Sequence, residues 1–317
     1  MNMALVFAGI APVMLILALG AIAGRRGQFD RMQARALSRF ALHFALPAAL
    51  FLAMAQTNRA QLVQQIPAML IMLAGYTGFF FVAYAVLRRF SVDRLRATLL
   101  AYTVSSTAAP IYGLTVLVPL FGQSVGSGVV GLAALVTNLA QVSVVIFMLQ
   151  SASAAASATG DARPSLGRTI TGALLNPLVW CPVLGALLAA LNVHLPSMAL
   201  SALRPLGVCA AGTAIFACGL VLASYRINLA SRSVVLGSAT CMIVHPLVFF
   251  LLVHFGGNGS LLDRAVFVAA VMPTATPTVL FAQAYGKGEA EIASIMLITT
   301  LAMVVTLPAS LAISAFL

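Results

Sequence analysis

Apolar runs of about 20 residues follow one another along almost the whole chain, separated by short segments that carry arginine. A helix needs about that many apolar residues to cross the hydrocarbon core of a bilayer. The runs are continuous and do not alternate with period two, so they read as membrane helices and not as barrel strands. Ten spans can be cut from the 317 residues: roughly 3–24, 40–57, 65–87, 97–119, 126–150, 170–191, 205–225, 233–255, 264–285 and 292–316. Only 7% of the residues are charged and 62% are hydrophobic, against about 25% charged in soluble domains. The expected fold class is an all-α membrane protein.

The positive residues test that division. Arg25, Arg26, Arg31, Arg35 and Arg39 follow the first span, and Arg88, Arg89, Arg94 and Arg96 the third. Arg163 and Arg168 follow the fifth, Arg226 and Arg232 the seventh, and Lys287 the ninth. These odd-numbered loops hold 14 of the 17 basic residues, leaving Arg59, Arg204 and Arg264 for the even-numbered ones. Cytoplasmic loops carry the Lys/Arg excess, so the odd loops are expected inside and both termini outside. The net charge of +11 then reports topology, and no basic stripe with interleaved aromatics points to nucleic acid. The opening "MNMALVFAGIAPVMLILALGAIAG" lacks the positive start of a signal peptide and reads as the first span.

The longest polar linker, "QSASAAASATGDARPSLG", divides the chain into residues 1–150, a cytoplasmic linker over 151–167, and residues 168–317. Five spans in each part give the two halves opposite orientations, the arithmetic of an inverted repeat. Pro110 interrupts the fourth span, and Pro273 interrupts its counterpart, the ninth, 163 residues later. Pro277 follows four residues on. Matching interrupted helices in two halves point to a transporter binding site.

Chemistry must come from few groups. The acidic residues Asp30, Asp93, Asp161, Asp263, Glu289 and Glu291 all fall in loops or at span ends. A carboxylate relay through the membrane is therefore not expected, and an anionic substrate meets no buried negative charge. Broken helices attract anions through the free N–H groups and positive dipole end of the second half. The candidate substrate-binding residues are Ser106, Thr107, Pro110, Tyr112, Asn138, Gln141, Pro273, Thr274, Thr276 and Pro277, with Ser105 and Thr278 flanking the breaks. A single proline could be a simple kink; two breaks in opposed halves favour a site. Asn138 and Gln141 share a helix face and could equally glue helices together. His245, before Pro246, is a candidate proton or substrate contact or a packed core histidine; His43 is a weaker candidate. Asn176, before Pro177, reads as a cap. Cys181, Cys209, Cys218 and Cys241 form no metal-ligand pattern, and neither metal nor cofactor is expected. "GQSVG" at 122–126 matches a hydrolase elbow but follows a membrane helix in an expected external loop, where small residues of a turn explain it. "NGS" at 258–260 matches a glycosylation sequon.

"FALHFALPAALF" (40–51), "NPLVWCPVLGALLAALNVHLP" (176–196) and above all "MPTATPTVLFAQAYGKGEAEIASIMLITTLAMVVTLP" (272–308) resemble the auxin efflux carrier family, over nearly the whole chain. "AAPIYGLTVLVPLFG" resembles its bacterial malonate-transporter branch, with Ala108 and Gly113-Leu114-Thr115 where many members carry an Asn and a Gly-x-Pro. The resemblance implies ten spans in two inverted five-helix repeats, as in sodium/proton antiporters and bile-acid symporters. Spans four and nine would be broken crossover helices. Spans one, two, six and seven would form a scaffold, and three to five with eight to ten a moving transport domain. It also implies a bacterial inner membrane, with periplasmic termini.

The function expected is secondary active transport of a small organic anion, malonate or a related carboxylate, by alternating access. Export of an auxin-like amphipathic carboxylate, a channel and a non-transporting sensor are the alternatives, and the chain is not expected to be an enzyme. The lipid bilayer and the anion are the expected partners. The coupling ion, Na⁺ or H⁺, and a homodimer are left open.

Overall fold

The computed structural model describes residues 3–56, 65–156, 177–193, 195–223 and 231–317. Among them the regular structure is helical, with one isolated β-bridge. The first half runs α1 (Met3–Arg25), α2 (Arg31–Phe40), α3 (Leu46–Ala55), α4 (Ile66–Leu73), α5 (Phe79–Arg89), α6 (Arg94–Ser105), α7 (Ala109–Phe121), α8 (Gln123–Leu135) and α9 (Ser143–Ala156). The second runs α10 (Pro177–Ala190), α11 (Ser197–Ala223), α12 (Arg232–Ala239), α13 (His245–Gly256), α14 (Leu261–Ala270), α15 (Pro277–Tyr285) and α16 (Glu289–Ile313). Short π-turns at Ala41–Ala45, Ala74–Gly78, Val136–Val142 and Thr240–Val244 join consecutive helices into longer rods.

Among the described residues six rods are long and apolar enough to cross a membrane: Met32–Ala55, Ile66–Arg89, Gln123–Ser153, Ser197–Ala223, Arg232–Gly256 and Glu289–Phe316. Ala11–Arg25, Ala109–Phe121 and Trp180–Ala190 are shorter apolar helices.

Several expected boundaries move. The arginines at 31, 35 and 39 do not lie in a loop. Asp30 and Gln33 form a reciprocal capping box that starts a helix there, and it continues through the π-turn into α3. Arg204 lies inside α11, and residues 151–156 of the expected linker lie inside α9. The "GQSVG" segment is not an external loop either, because Gln123 is the first residue of α8. Gly122 alone makes the turn from α7, at φ 83° and ψ 163°, a region open essentially to glycine. Gly122→Ala is expected to cost about 1–3 kcal/mol, read as a lower unfolding temperature in detergent. Arg59, Arg163, Arg168, Arg226, Asp161 and Asn176 fall outside the described residues.

Most packing falls within two groups of helices, which meet where α1 and α11 touch α7 and where α3 and α10 touch α8. α1 lies along α11, which also covers α2 and α3, and α10 packs on α3. Elsewhere α6 packs against α5 and α9, α12 against α16, and α13 against α14. α1 and α11 approach closely because Gly20 and Gly219 face each other's backbone. A Cβ on Gly20 would stand 2.3 Å from the Phe216 carbonyl oxygen, and one on Gly219 would stand 2.3 Å from that of Leu17. Small residues at such crossings let dispersion hold helices together in lipid, where apolar side chains gain little by leaving their neighbours.

Features of the first half recur in the second at a nearly constant spacing. Asp93 caps α6 and Ser260 caps α14, 167 residues apart (260 − 93). The π-turns at Ala74 and Thr240 begin 166 residues apart (240 − 74). At a spacing of 167 (277 − 110) the counterpart of Pro110 is Pro277, rather than the Pro273 expected from the sequence.

Candidate functional site

Both breaks follow from proline geometry. A helical Pro110 would clash with the carbonyl of Ser106, and a helical Pro277 with that of Pro273. α6 therefore ends at Ser105, Ser106 turns extended at φ −104° and ψ 143°, and α7 restarts with Pro110 in its first turn. In the second half α14 ends at Ala270 and α15 restarts at Pro277 itself. Proline is tolerated in a first turn because the missing N–H would have no partner there.

The two breaks meet. Thr107 and Thr274 form an antiparallel bridge, and the Ala108 N–H donates to the Pro273 carbonyl at 2.7 Å. In an apolar interior such a bond is worth far more than in water. Hydroxyls and one amide satisfy other backbone groups freed by the breaks. Thr274 Oγ1 donates to the Thr103 carbonyl at 3.2 Å, and the Thr274 N–H to Thr299 Oγ1 at 3.4 Å. Gln141 Nε2 reaches Ser105 Oγ at 2.8 Å, the Tyr76 carbonyl at 3.1 Å and the Ser105 carbonyl at 3.3 Å. Tyr76 Oη lies 3.1 Å from Thr107 Oγ1.

A cavity of about 40 Å³ opens beside the joint. Ser106, Thr107, Pro110, Asn138 and Pro277, all expected from the sequence, line it together with Thr137. None of the described residues that line it is charged. Ser106 is the telling side chain: it is 4% exposed and, among the described residues, its Oγ has no hydrogen-bond partner. Buried polar atoms are rarely left unpaired, so an orphaned hydroxyl on a cavity wall has hydrogen-bonding capacity to spare. Asn138 uses its Nδ2 on the Ala134 carbonyl at 2.8 Å. Pro110 and Pro277 place the first turns of α7 and α15 at the same cavity, so two positive helix ends converge there.

Other expected site residues brace the joint and do not line the cavity. Gln141, Thr274 and Pro273 hold backbone as described above. Tyr112 Oη lies 3.2 Å from Cys218 Sγ, and Thr276 Oγ1 reaches the same sulfur at 3.7 Å. Thr278 Oγ1 donates to the Ala275 carbonyl at 2.8 Å, and Cys241 Sγ lies 3.4 Å from Thr274 Oγ1. His245 is buried against the rings of Tyr76, Phe79 and Phe249, whereas His43 is exposed, with its Nδ1 by the Arg39 carbonyl. Sequence reasoning missed Tyr76, Thr103, Thr137, Thr299, Cys218 and Cys241. A tyrosine inside the apolar run "AGYTG" was the one legible signal among them. Among the described residues no group of three or more His, Cys, Asp or Glu could hold a metal ion.

The chain matches the family model "membrane transport protein" over residues 5–311. It is 27% identical over 301 residues to the uncharacterized transporter YfdV of Escherichia coli K12, covering 94% of both chains. The YfdV proteins of Escherichia coli O157:H7 and Shigella flexneri match with the same identity, 27%, and the same coverage, 94%. The family is one of transporters rather than enzymes. Because these matches run through both broken helices and the cavity between them, the chain belongs to the membrane transport protein family and is a membrane-spanning transporter.

Proposed function

We propose that this transporter moves a small organic anion, malonate or a related carboxylate, across a bacterial inner membrane by secondary, alternating-access transport. The observation that carries the reading is the cavity at the joined breaks. It has an orphaned Ser106 hydroxyl, two converging helix N-termini and no lining charge. An anion there gains hydrogen bonds and dipole attraction, whereas a cation meets no negative side chain.

The architecture we assign is ten spans in two inverted five-helix repeats, with odd loops cytoplasmic and both termini periplasmic. The recurrence near 167 residues supports the repeat, as in the spacing of Asp93 and Ser260 (260 − 93). The packing of α1, α2, α3, α10 and α11 among themselves supports a scaffold distinct from a transport domain carrying the breaks. Moving one charge through 100 mV is worth about 2.3 kcal/mol, so a dianion needs a coupled cation to enter a negative interior and can leave downhill.

Proteoliposomes given labelled malonate, with and without Na⁺ and pH gradients, test the reading. Uptake or exchange is expected. Absence of uptake, exchange and binding across a panel of small carboxylates would end the substrate assignment. Ser106→Ala is expected to weaken malonate binding roughly 10- to 100-fold, the value of one hydrogen bond to a charged group. Thr276→Val, which removes a hydroxyl contact to Cys218 and not a group on the cavity wall, is expected to do much less.

A further inference from the structure

We propose that His245 is the proton-carrying group of this transporter: it takes up one proton as a carboxylate anion enters the cavity and releases it as the anion leaves. This rests on the anion reading above and fixes H⁺ as the coupled ion.

The imidazole sits at the first residue of α13, directly after the π-turn, and is 1% exposed. Its Nε2 has no hydrogen-bond partner among the described residues. The Tyr76, Phe79 and Phe249 rings surround it, with centroids 5.8, 5.3 and 4.9 Å away. Ser105 ends α6, and Gln141 Nε2 ties its carbonyl to that of Tyr76, whose ring stacks on His245. Gln141, bonded to the same Ser105 carbonyl at 3.3 Å, has a buried Oε1 that is also unpartnered. Two buried polar atoms of the cluster, His245 Nε2 and Gln141 Oε1, are thus without partners among the described residues, and a proton on the ring adds a donor there.

The cluster also reaches the cavity. Ser105 is followed by Ser106 on the cavity wall, and Tyr76 Oη lies 3.1 Å from Thr107 Oγ1 on the same wall. Around His245, Tyr76 is the titratable group in ring contact, and Cys241, one turn earlier, is engaged with Thr274. On the elements packed against it, Arg94, Arg96, Asp263, Arg264, Glu289 and Glu291 all lie within the first four residues of their helices, and Arg88 and Arg89 in a last turn. A buried imidazole is costly to charge unless an opposite charge pairs with it. An anion nearby provides the counter-charge that makes the imidazolium tolerable, and by linkage the proton strengthens anion binding equally. The proton comes from and returns to bulk water, and no covalent bond to the substrate forms.

Isothermal titration of malonate into the purified protein at pH 7, in buffers of different ionisation enthalpy, counts protons taken up on binding. Wild type is expected to take up close to one, with affinity falling by up to about tenfold per pH unit as pH rises. His245→Gln is expected to bind malonate more weakly, without proton uptake and with a flat pH dependence. Malonate binding without proton uptake, or with equal uptake by His245→Gln, overturns the assignment and leaves the anion reading standing. No binding of malonate or other dicarboxylates by wild type overturns both. If the glutamine variant does not fold, ¹⁵N-imidazole spectra of wild type decide. One buried ring converting to imidazolium on malonate addition supports the proposal, and unchanged rings refute it.

Discussion

A Ser106→Asp variant is expected to lose malonate binding by roughly 100-fold or more, because like charges placed together in a water-poor site cost several kcal/mol. The Ser106 hydroxyl is buried, unpartnered and on the cavity wall, so a carboxylate there lies where the anion must sit. Ser106→Asn, neutral and similar in size, separates charge from bulk and should keep more of the affinity. The same pair tests the sign of the cargo. A transporter of cations would bind its substrate more tightly with the aspartate, so retained or improved transport by Ser106→Asp would remove the anion assignment. Detergent melting curves accompany each variant, since a destabilised fold would also lose binding.

Gly219→Val is expected to destabilise the protein on the order of 3 kcal/mol or more, a large share of the few kcal/mol that separate most folded proteins from unfolding. Its Cβ would stand 2.3 Å from the Leu17 carbonyl oxygen, and backbone cannot rotate aside as a side chain can. α1 must then separate from α11, and dispersion across the crossing falls with the gap. Size-exclusion profiles and melting temperatures report the effect. A Gly219→Val protein that elutes and melts like wild type would show that the two helices are held together elsewhere. Gly212, on the same helix, has open space around its Cβ position, and Gly212→Ala serves as the mild control.

The membrane class and the location of both breaks were legible because they rest on local rules. Apolar run length reads directly as span length, and proline acts on its own helix. The pairing of the breaks was not. Sequence spacing set Pro110 opposite Pro273, whereas the bridge joins Thr107 to Thr274 and places Pro277 as the counterpart of Pro110. A shift of four residues is one helical turn, invisible to hydropathy and decided by which backbone groups meet in space. The side-chain roles divided for a similar reason. Ser106, Thr107 and Asn138 line the cavity, but Gln141 and Thr274 spend their hydrogen bonds on the ends of broken helices. Residue type predicted polarity at the breaks and could not predict which polar group would be left over. Cys218 and Cys241 read only as part of no metal-ligand pattern, yet each touches a hydroxyl at the joint, because the partners lie on other segments of the chain. Residues 31–39 read as loop because their charges obscured a capping box that lies in plain sequence, with Asp30 three residues before Gln33.

The bond from the Ala108 N–H to the Pro273 carbonyl has a mechanical meaning. It acts as a rivet through two rods, set at the weakest point of each. Each rod alone could hinge freely at its break. Riveted, neither can swing without dragging the other, and their separate freedoms reduce to a single one. A load felt on one side of the protein is then shared with the other at the joint itself, without having to travel along either helix.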